Sequence, residues 1–242
     1  ELTTLGGTAG DSVGEKITLT VTFDDAVNGL TSGNDSTIFK VGGAGVSAVW
    51  GGDAGSSTRT LTYTIAAGQN GQATIDEAAL KTALEAGISD KAGNAFAYTL
   101  NGGVIANIDS TALPMIDTTA PTTGALALAV DSNITTDGIS NVGKITVSGL
   151  ESGATWEYST TAGRTWTAGV GTSFTLAEGT YAIGSVKMRQ TDVAGNVQTA
   201  SLATNTAAIV IDMAAPKLSS IVFVDSELKI GDTSLVTITF SE

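Results

Sequence analysis

The chain repeats itself, and the repeats limit it to an array of similar modules. Ile116-Asp117-Thr118-Thr119-Ala120-Pro121 returns 95 residues later as Ile211-Asp212-Met213-Ala214-Ala215-Pro216. Asp90-Lys91-Ala92-Gly93-Asn94 returns 102 residues later as Asp192-Val193-Ala194-Gly195-Asn196. Two unrelated motifs at nearly one spacing mean tandem units of about 100 residues, a common β-sandwich size. A third repeat lies 217 residues apart, where the run from Gly14 to Asp25 matches the run from Gly231 to Glu242. The expected order is therefore module one (1–117), module two (118–213) and the first two strands of a third module (214–242). A chain that stops two strands into a repeat reads as a segment of something longer.

Within the modules the side chains alternate. Ile17, Leu19, Val21 and Phe23 are separated by Thr18, Thr20 and Thr22, and Leu61, Tyr63 and Ile65 follow the same rule. A period of two with β-branched residues is the pattern of a half-buried strand. Module two reads as strands near 124–130, 142–148, 153–159, 164–167, 173–176, 181–190 and 196–211. Asp137-Gly138, Ala162-Gly163 and Glu178-Gly179 supply turns between them. One helix is expected in module one, capped by Asp76, running from Glu77 to Glu85 and ended by Gly87. Short strands with regular turns give an all-β fold of tandem immunoglobulin-like sandwiches in an elongated array, with one short helix in the first domain.

Composition excludes much chemistry. There is no His and no Cys, so no Ser-His-Asp triad, no thiolate nucleophile, no disulfide and no Cys- or His-based zinc site is available. Eleven Lys and Arg against 24 Asp and Glu give a net charge of −13, which opposes nucleic-acid binding. No apolar run reaches 18 residues, so membrane insertion by a helix is not expected. The acids that remain suit hard cations such as Ca²⁺, which take oxygen ligands.

At the linker Asp-Thr-Thr-Ala-Pro, the loop Asp-Val-Ala-Gly-Asn and the run Ile145 to Ser159, the sequence resembles bacterial Ig-like repeats. Such repeats fill giant adhesins of Gram-negative bacteria exported by type I secretion, the RTX and BapA-like proteins. The resemblance extends over essentially the whole chain. It implies a structural stalk segment of a secreted, cell-surface protein, with neighbouring Ig-like repeats as partners and Ca²⁺ at the module junctions. It further implies a role in adhesion or biofilm, with the host or surface ligand contacted by other parts of the parent protein. No enzymatic activity is expected.

Strand order alone places the acids at the junctions. In a seven-stranded sandwich the loop after the first strand lies at the outgoing pole, and the loops after the second and sixth strands lie at the incoming pole. Asp131, Asp137, Asp212 and Glu242 should therefore converge at the second junction. Asp11 (with Glu15 nearby), Asp117, Glu151 and Asp192 should converge at the first, where Asp109 is a further candidate. Asp24, Asp25 and Asp90 would form the incoming half of another such site. Carboxylates at 4 Å repel by about 1 kcal/mol in water, and a divalent ion reverses that sign. Ca²⁺ accepts 6–8 oxygens in flexible geometry, whereas Mg²⁺ demands an octahedron.

Other signals are weaker. Gly138 to Lys144 resembles a phosphate-binding loop, but Ile145 stands where Ser or Thr is required and a strand follows. Ser159 to Trp166 resembles a sialidase Asp-box but has Thr161 in place of Asp, so a hairpin with Trp166 packed into the sandwich is expected instead. Trp50, Trp156 and Trp166 would serve a ligand- or carbohydrate-binding module, the alternative reading, but large side chains in a sandwich normally face its core.

Overall fold

The computed structural model describes residues 2–8, 11–33, 35–98, 113–225 and 227–242. The chain forms two compact units, one of Glu1–Thr122, Glu151–Thr155 and Gln190–Ala200, the other of Thr123–Leu150, Trp156–Arg189 and Ser201–Glu242. Among the described residues no helix is long and apolar enough to cross a membrane.

The first unit is built from β1 (Leu2–Thr8), β2 (Lys16–Asn28), β3 (Asp35–Val41), β4 (Ala44–Gly51), β5 (Ser56–Thr64), β6 (Gly71–Ile75), α1 (Glu77–Gly87), β7 (Ser89–Asp90) and β8 (Met115–Ile116). The strands follow one path, β1-β2-β5-β4-β3-β6-β8, with β7 also paired to β2. Register breaks at Thr22/Val27 in β2 and at Ser36/Phe39 in β3 mark irregularities of the kind that bend a strand. The alternation read from the sequence holds. Ile17, Leu19, Val21 and Phe23 point inward with Ile38, Phe39, Trp50, Leu61, Tyr63 and Ile65. Each such buried side chain contributes about 1.5–3 kcal/mol. Leu80 and Leu84, one turn apart on α1, close the core. The Asp76 carboxylate accepts from Ala79 N at the start of this helix, as expected for its cap.

One inward position of β5 is charged. Arg59 shares the parity of Leu61 and Tyr63 and is fully buried. Its Nε donates to Gly29 O at 2.6 Å and its Nη2 to Val27 O at 2.7 Å. Its Nη1 donates to the carbonyls of Thr58 at 2.8 Å, Asp53 at 3.0 Å and Ser56 at 3.3 Å. The guanidinium thus joins the end of β2 to the β4–β5 turn. Burial pushes its pKa down, and the nearby charge of Asp53 opposes that.

The strands that follow are β9 (Ala125–Leu128), β10 (Ile139–Ser140), β11 (Lys144–Ser148), β12 (Thr155–Ser159), β13 (Thr167–Ala168), β14 (Ser173–Thr175), β15 (Gly179–Tyr181), β16 (Lys187–Thr191), β17 (Ala203–Thr204) and β18 (Ile209–Ile211). They form the sheets β14-β11-β9, β13-β12-β16-β17 and β10-β18-β15, with β10 parallel to β18. The core of the second unit is Ile145, Val147, Trp156, Phe174, Leu176, Val186, Met188, Ala203, Ile209 and Ile211. Tyr158 stacks on Phe174 with ring centres 4.1 Å apart.

Three expectations need correction here. The strand expected over 196–211 is broken into β17 and β18, because Asn205 turns its amide onto the backbone, donating to Ala182 O and Ala207 O and accepting from Val186 N. The strand expected over 181–190 is divided between β15 and β16 around a turn in which Ser185 N bonds Ala182 O at 3.0 Å. Trp166 is half-buried at the surface, where the Arg189 guanidinium lies 4.3 Å from its ring centre and pairs with Glu157 at 2.7 Å.

The last elements, β19 (Leu218–Phe223) and β20 (Val236–Phe240), form an antiparallel hairpin. It repeats the β1–β2 pairing. Leu2 faces Phe23 and Leu218 faces Phe240, and each pair is followed by a register irregularity. The third repeat read from the sequence is therefore a structural one. Ile221, Phe223, Ile238 and Phe240 of this hairpin are each about half exposed or more.

Candidate functional site

The segment 117–122 is where sequence reasoning placed the first junction, and it is gripped along its length within the first unit. At its start, Asp117 N donates to Asp11 O at 3.1 Å, and Asp117 O accepts from the Asn196 side-chain amide at 2.9 Å. Thr118 N donates to Asn70 Oδ1 at 2.6 Å, and Thr118 Oγ1 accepts from Gly68 N at 2.9 Å. Asn70 Nδ2 reaches Thr119 Oγ1 at 3.0 Å. At the far end, Thr122 N donates to the Glu151 carboxylate at 2.9 Å, and Thr122 O accepts from Gln190 Nε2 at 2.7 Å. Gln190, itself fully buried, also accepts from Glu151 N at 2.9 Å.

These contacts decide whether the segment is a tether or a fixed element. Ordering a backbone costs about 1–2 kcal/mol per residue, and each hydrogen bond contributes about 0.5–1.5 kcal/mol. The two sides are comparable only because the segment is bonded at both ends and in the middle. Pro121 lowers the cost further by fixing its own φ.

The Asn196 loop explains part of the grip. Asp192 accepts from Asn196 N at 2.8 Å and from Asn196 Nδ2 at 2.9 Å, which fixes the amide. The same Nδ2 then has its second hydrogen for Asp117 O. Gly195, at φ +88°, makes the left-handed turn the loop requires.

The structure brings Asp11, Asp117, Asp192 and Glu151 into this hydrogen-bonded region. Asp11 takes part through its backbone, and the carboxylates of Asp117, Asp192 and Glu151 serve nearby N–H groups. Asp117 Oδ1 accepts from Thr119 N at 2.9 Å, and Glu15 accepts from Asp11 N at 2.9 Å, a bond that holds its carboxyl below the ordinary range. Among the described residues no three Asp or Glu side chains converge to hold a metal. The donor set is all oxygen, as Ca²⁺ prefers. The Asn196 amide nevertheless lies between Asp117 O and Asp192 Oδ2, so an ion bridging that pair requires Asn196 to turn away.

The other expected ligands divide as follows. Asp131 and Asp137 line one pocket of about 330 Å³ with Leu126, Leu128 and Ile145. Asp131 Oδ2 accepts from Thr136 N at 2.6 Å, Asp131 Oδ1 is buried with no partner among the described residues, and Asp137 Oδ1 accepts from Ile139 N at 2.9 Å. Asp212 and Glu242 are not among the residues lining that pocket. Asp212 Oδ1 caps Ala214 N at 3.0 Å, and Glu242 is exposed. Asp90 binds Asn94, Asp25 accepts from Ala26 N, and Asp24 is exposed at the surface. Asp109 lies outside the described residues.

Sequence reasoning missed Asn70, Gln190 and Asn196. Asn196 was in view as the last residue of a repeated motif. Gln190 could be found by parity, since it continues the inward series Val186 and Met188.

The all-β fold, with one helix and several sheets among the described residues, is consistent with a β-sandwich. Residues 12–96 match the family described as "BatD DUF11 like domain". No curated protein matches the chain.

Proposed function

We propose that this chain is a spacer segment of a bacterial cell-surface or secreted adhesin, one stretch of a stalk that holds a distal adhesive domain away from the cell. The observation that carries the reading is the grip on residues 117–122 by Asn70, Glu151, Gln190 and Asn196. A connector whose main chain is bonded at both ends transmits position and load, whereas a free one of this length does not. The absence of Cys suits a protein that folds after export with no oxidation step.

Calcium at the junctions is the second element of the proposal. It rests on the oxygen-only donors around Asp11, Asp117, Glu151 and Asp192 and on the net charge of −13. Extracellular calcium near the millimolar range would suffice at affinities of about 10⁻⁴–10⁻³ M.

Solution scattering with and without chelator tests both elements. A compact globule of this length has a radius of gyration of about 18 Å. The spacer reading expects a value well above that, and a value near it would overturn the reading. Calcium binding expects a melting temperature that rises to saturation near millimolar Ca²⁺, not with Mg²⁺, and less in Asp117→Ala. No shift would remove calcium while leaving the spacer.

A further inference from the structure

The loop that grips the linker has a twin. In 90–94, Asp90 accepts from Asn94 N at 2.8 Å and from Asn94 Nδ2 at 2.7 Å. In 192–196 the same bonds are 2.8 and 2.9 Å. Asp90 N bonds Asn94 O at 3.0 Å, and Asp192 N bonds Asn196 O at 3.2 Å. Gly93 and Gly195 both stand at φ +88°. Each loop is closed by an isolated bridge, Ser89 with Ala95 and Thr191 with Val197. The next rung is also shared, since Phe96 N bonds Ile88 O and Gln198 N bonds Gln190 O, both at 2.9 Å.

The two loops differ in one respect. Asn196 is half-buried and gives its second amide hydrogen to Asp117 O. Asn94 is exposed, and among the described residues its amide bonds only Asp90.

The linker has a twin as well. Asp117 N donates to Asp11 O at 3.1 Å and Asp117 Oδ1 caps Thr119 N at 2.9 Å. Asp212 N donates to Ser140 O at 3.0 Å and Asp212 Oδ1 caps Ala214 N at 3.0 Å. The second linker is thus held in the same form, and among the described residues no donor is bonded to the Asp212 carbonyl.

We infer that the Asp90–Asn94 loop is a docking site for an Ile-Asp-x-x-Ala-Pro linker of a preceding copy of this module. The Asn94 amide would donate to the carbonyl of the linker aspartate, as Asn196 does to Asp117. The chain then carries both halves of one head-to-tail contact, a donor at Asn94 and an acceptor at Asp212. Such a contact does not close on itself and propagates along an array. The inference rests on the spacer reading, and it names which residues join successive copies.

The test is a tandem protein in which residues 217–242 are replaced by a second complete chain, whose opening strands repeat them. The absence of Cys allows clean spin labelling at two introduced cysteines. Val170 and Val49 are exposed and suit this purpose. A label at position 49 of the second copy and one at 170 of the first report on the new linker. Labels at 49 and 170 of the first copy report on residues 117–122. The expected result is a narrow distance distribution across both linkers. Asn94→Ala in the second copy should abolish the narrow distribution across the new linker, to the extent that Asn196→Ala in the first copy does across its own. Asn94→Ala in the first copy, which has no linker before it, should change neither. If Asn196→Ala loosens its linker and second-copy Asn94→Ala does not, the inference is overturned and the spacer reading stands. If Asn196→Ala has no effect either, the grip on which both rest is refuted.

Discussion

Replacing Arg59 by lysine should destabilise the first unit by about 2–4 kcal/mol. The guanidinium makes bonds to five carbonyls, those of Val27, Gly29, Asp53, Ser56 and Thr58. An ammonium has three donors, so at least two of these five bonds are lost at a fully buried side chain, although Val27 O and Asp53 O keep the backbone bonds from Gly55 N and Ser56 N. Each lost hydrogen bond to a charged group costs about 1.5–3 kcal/mol, part of it recovered where the lysine stem lets water in. Arg59→Ala removes every bond and should cost more, about 3–5 kcal/mol. Urea unfolding followed by resolved backbone resonances gives the assay. Residues of the first core, such as Leu19 and Leu61, should shift to lower midpoint. Residues of the second core, such as Ile145 and Met188, serve as the internal control. If Arg59→Lys stays within about 0.5 kcal/mol of the parent chain, the size expected of a surface substitution, then the carbonyl cage does not hold the end of β2 to the β4–β5 turn.

Other consequences are equally open to measurement. Gly169→Ala would put a Cβ 2.2 Å from the Trp156 ring, so the second core should lose about 1–3 kcal/mol on overpacking, read from its urea midpoint; an unchanged midpoint would contradict the packing. Acid should destabilise the first unit in a defined window. The Asn94 amide and backbone hold Asp90 below the usual carboxylate range, and Lys40 does so for Asp76. A depressed folded-state pKa gives stability that is complete above the unfolded value near 3.9 and is lost as pH falls through the folded value. The melting temperature should therefore be insensitive to these groups above about pH 5 and fall below about pH 4, and Asp90→Asn should flatten that fall. Asn70→Ala removes the bonds to Thr118 and Thr119 together and should speed proteolysis within 117–122 while leaving the core resonances in place.

Much of the fold was legible because its signals are local. The parity of Ile17 to Phe23 and of Leu61 to Ile65 fixed which face is buried, and Asp76 marked the helix start through its own side chain. The third repeat was legible in the match of Gly14–Asp25 to Gly231–Glu242, and the pairing of Phe240 with Leu218 comes from the structure. Arg59 and Gln190 sat at inward positions of the same alternating strands, but polarity hid them, since the pattern was traced through apolar residues alone. The breaks at Ala182–Ser185 and around Asn205 depend on side chains bonding a distant backbone, which periodicity does not reveal. The expected metal ligands show the same division. Strand order drew Asp117, Asp192 and Glu151 to one region, where the structure places them in one hydrogen-bonded stretch. It gave no account of what each carboxylate bonds, and short-range N–H groups, two to four residues away for Asp117 and Asp192, claimed them first. The amides of Asn70, Gln190 and Asn196 then carry the linker contacts that carboxylates alone cannot make, because an amide side chain both donates and accepts whereas an ionised carboxylate only accepts.

Backbone ¹⁵N relaxation of Thr118, Thr119 and Thr122 in the intact chain, in the presence of chelator, tests the held linker most directly. Order parameters of about 0.85, equal to those of the flanking strands, are predicted, with a fall at Thr118 in Asn70→Ala and at Thr122 in Gln190→Ala. Values below about 0.6 across the segment in the parent chain would show a flexible tether and contradict the account.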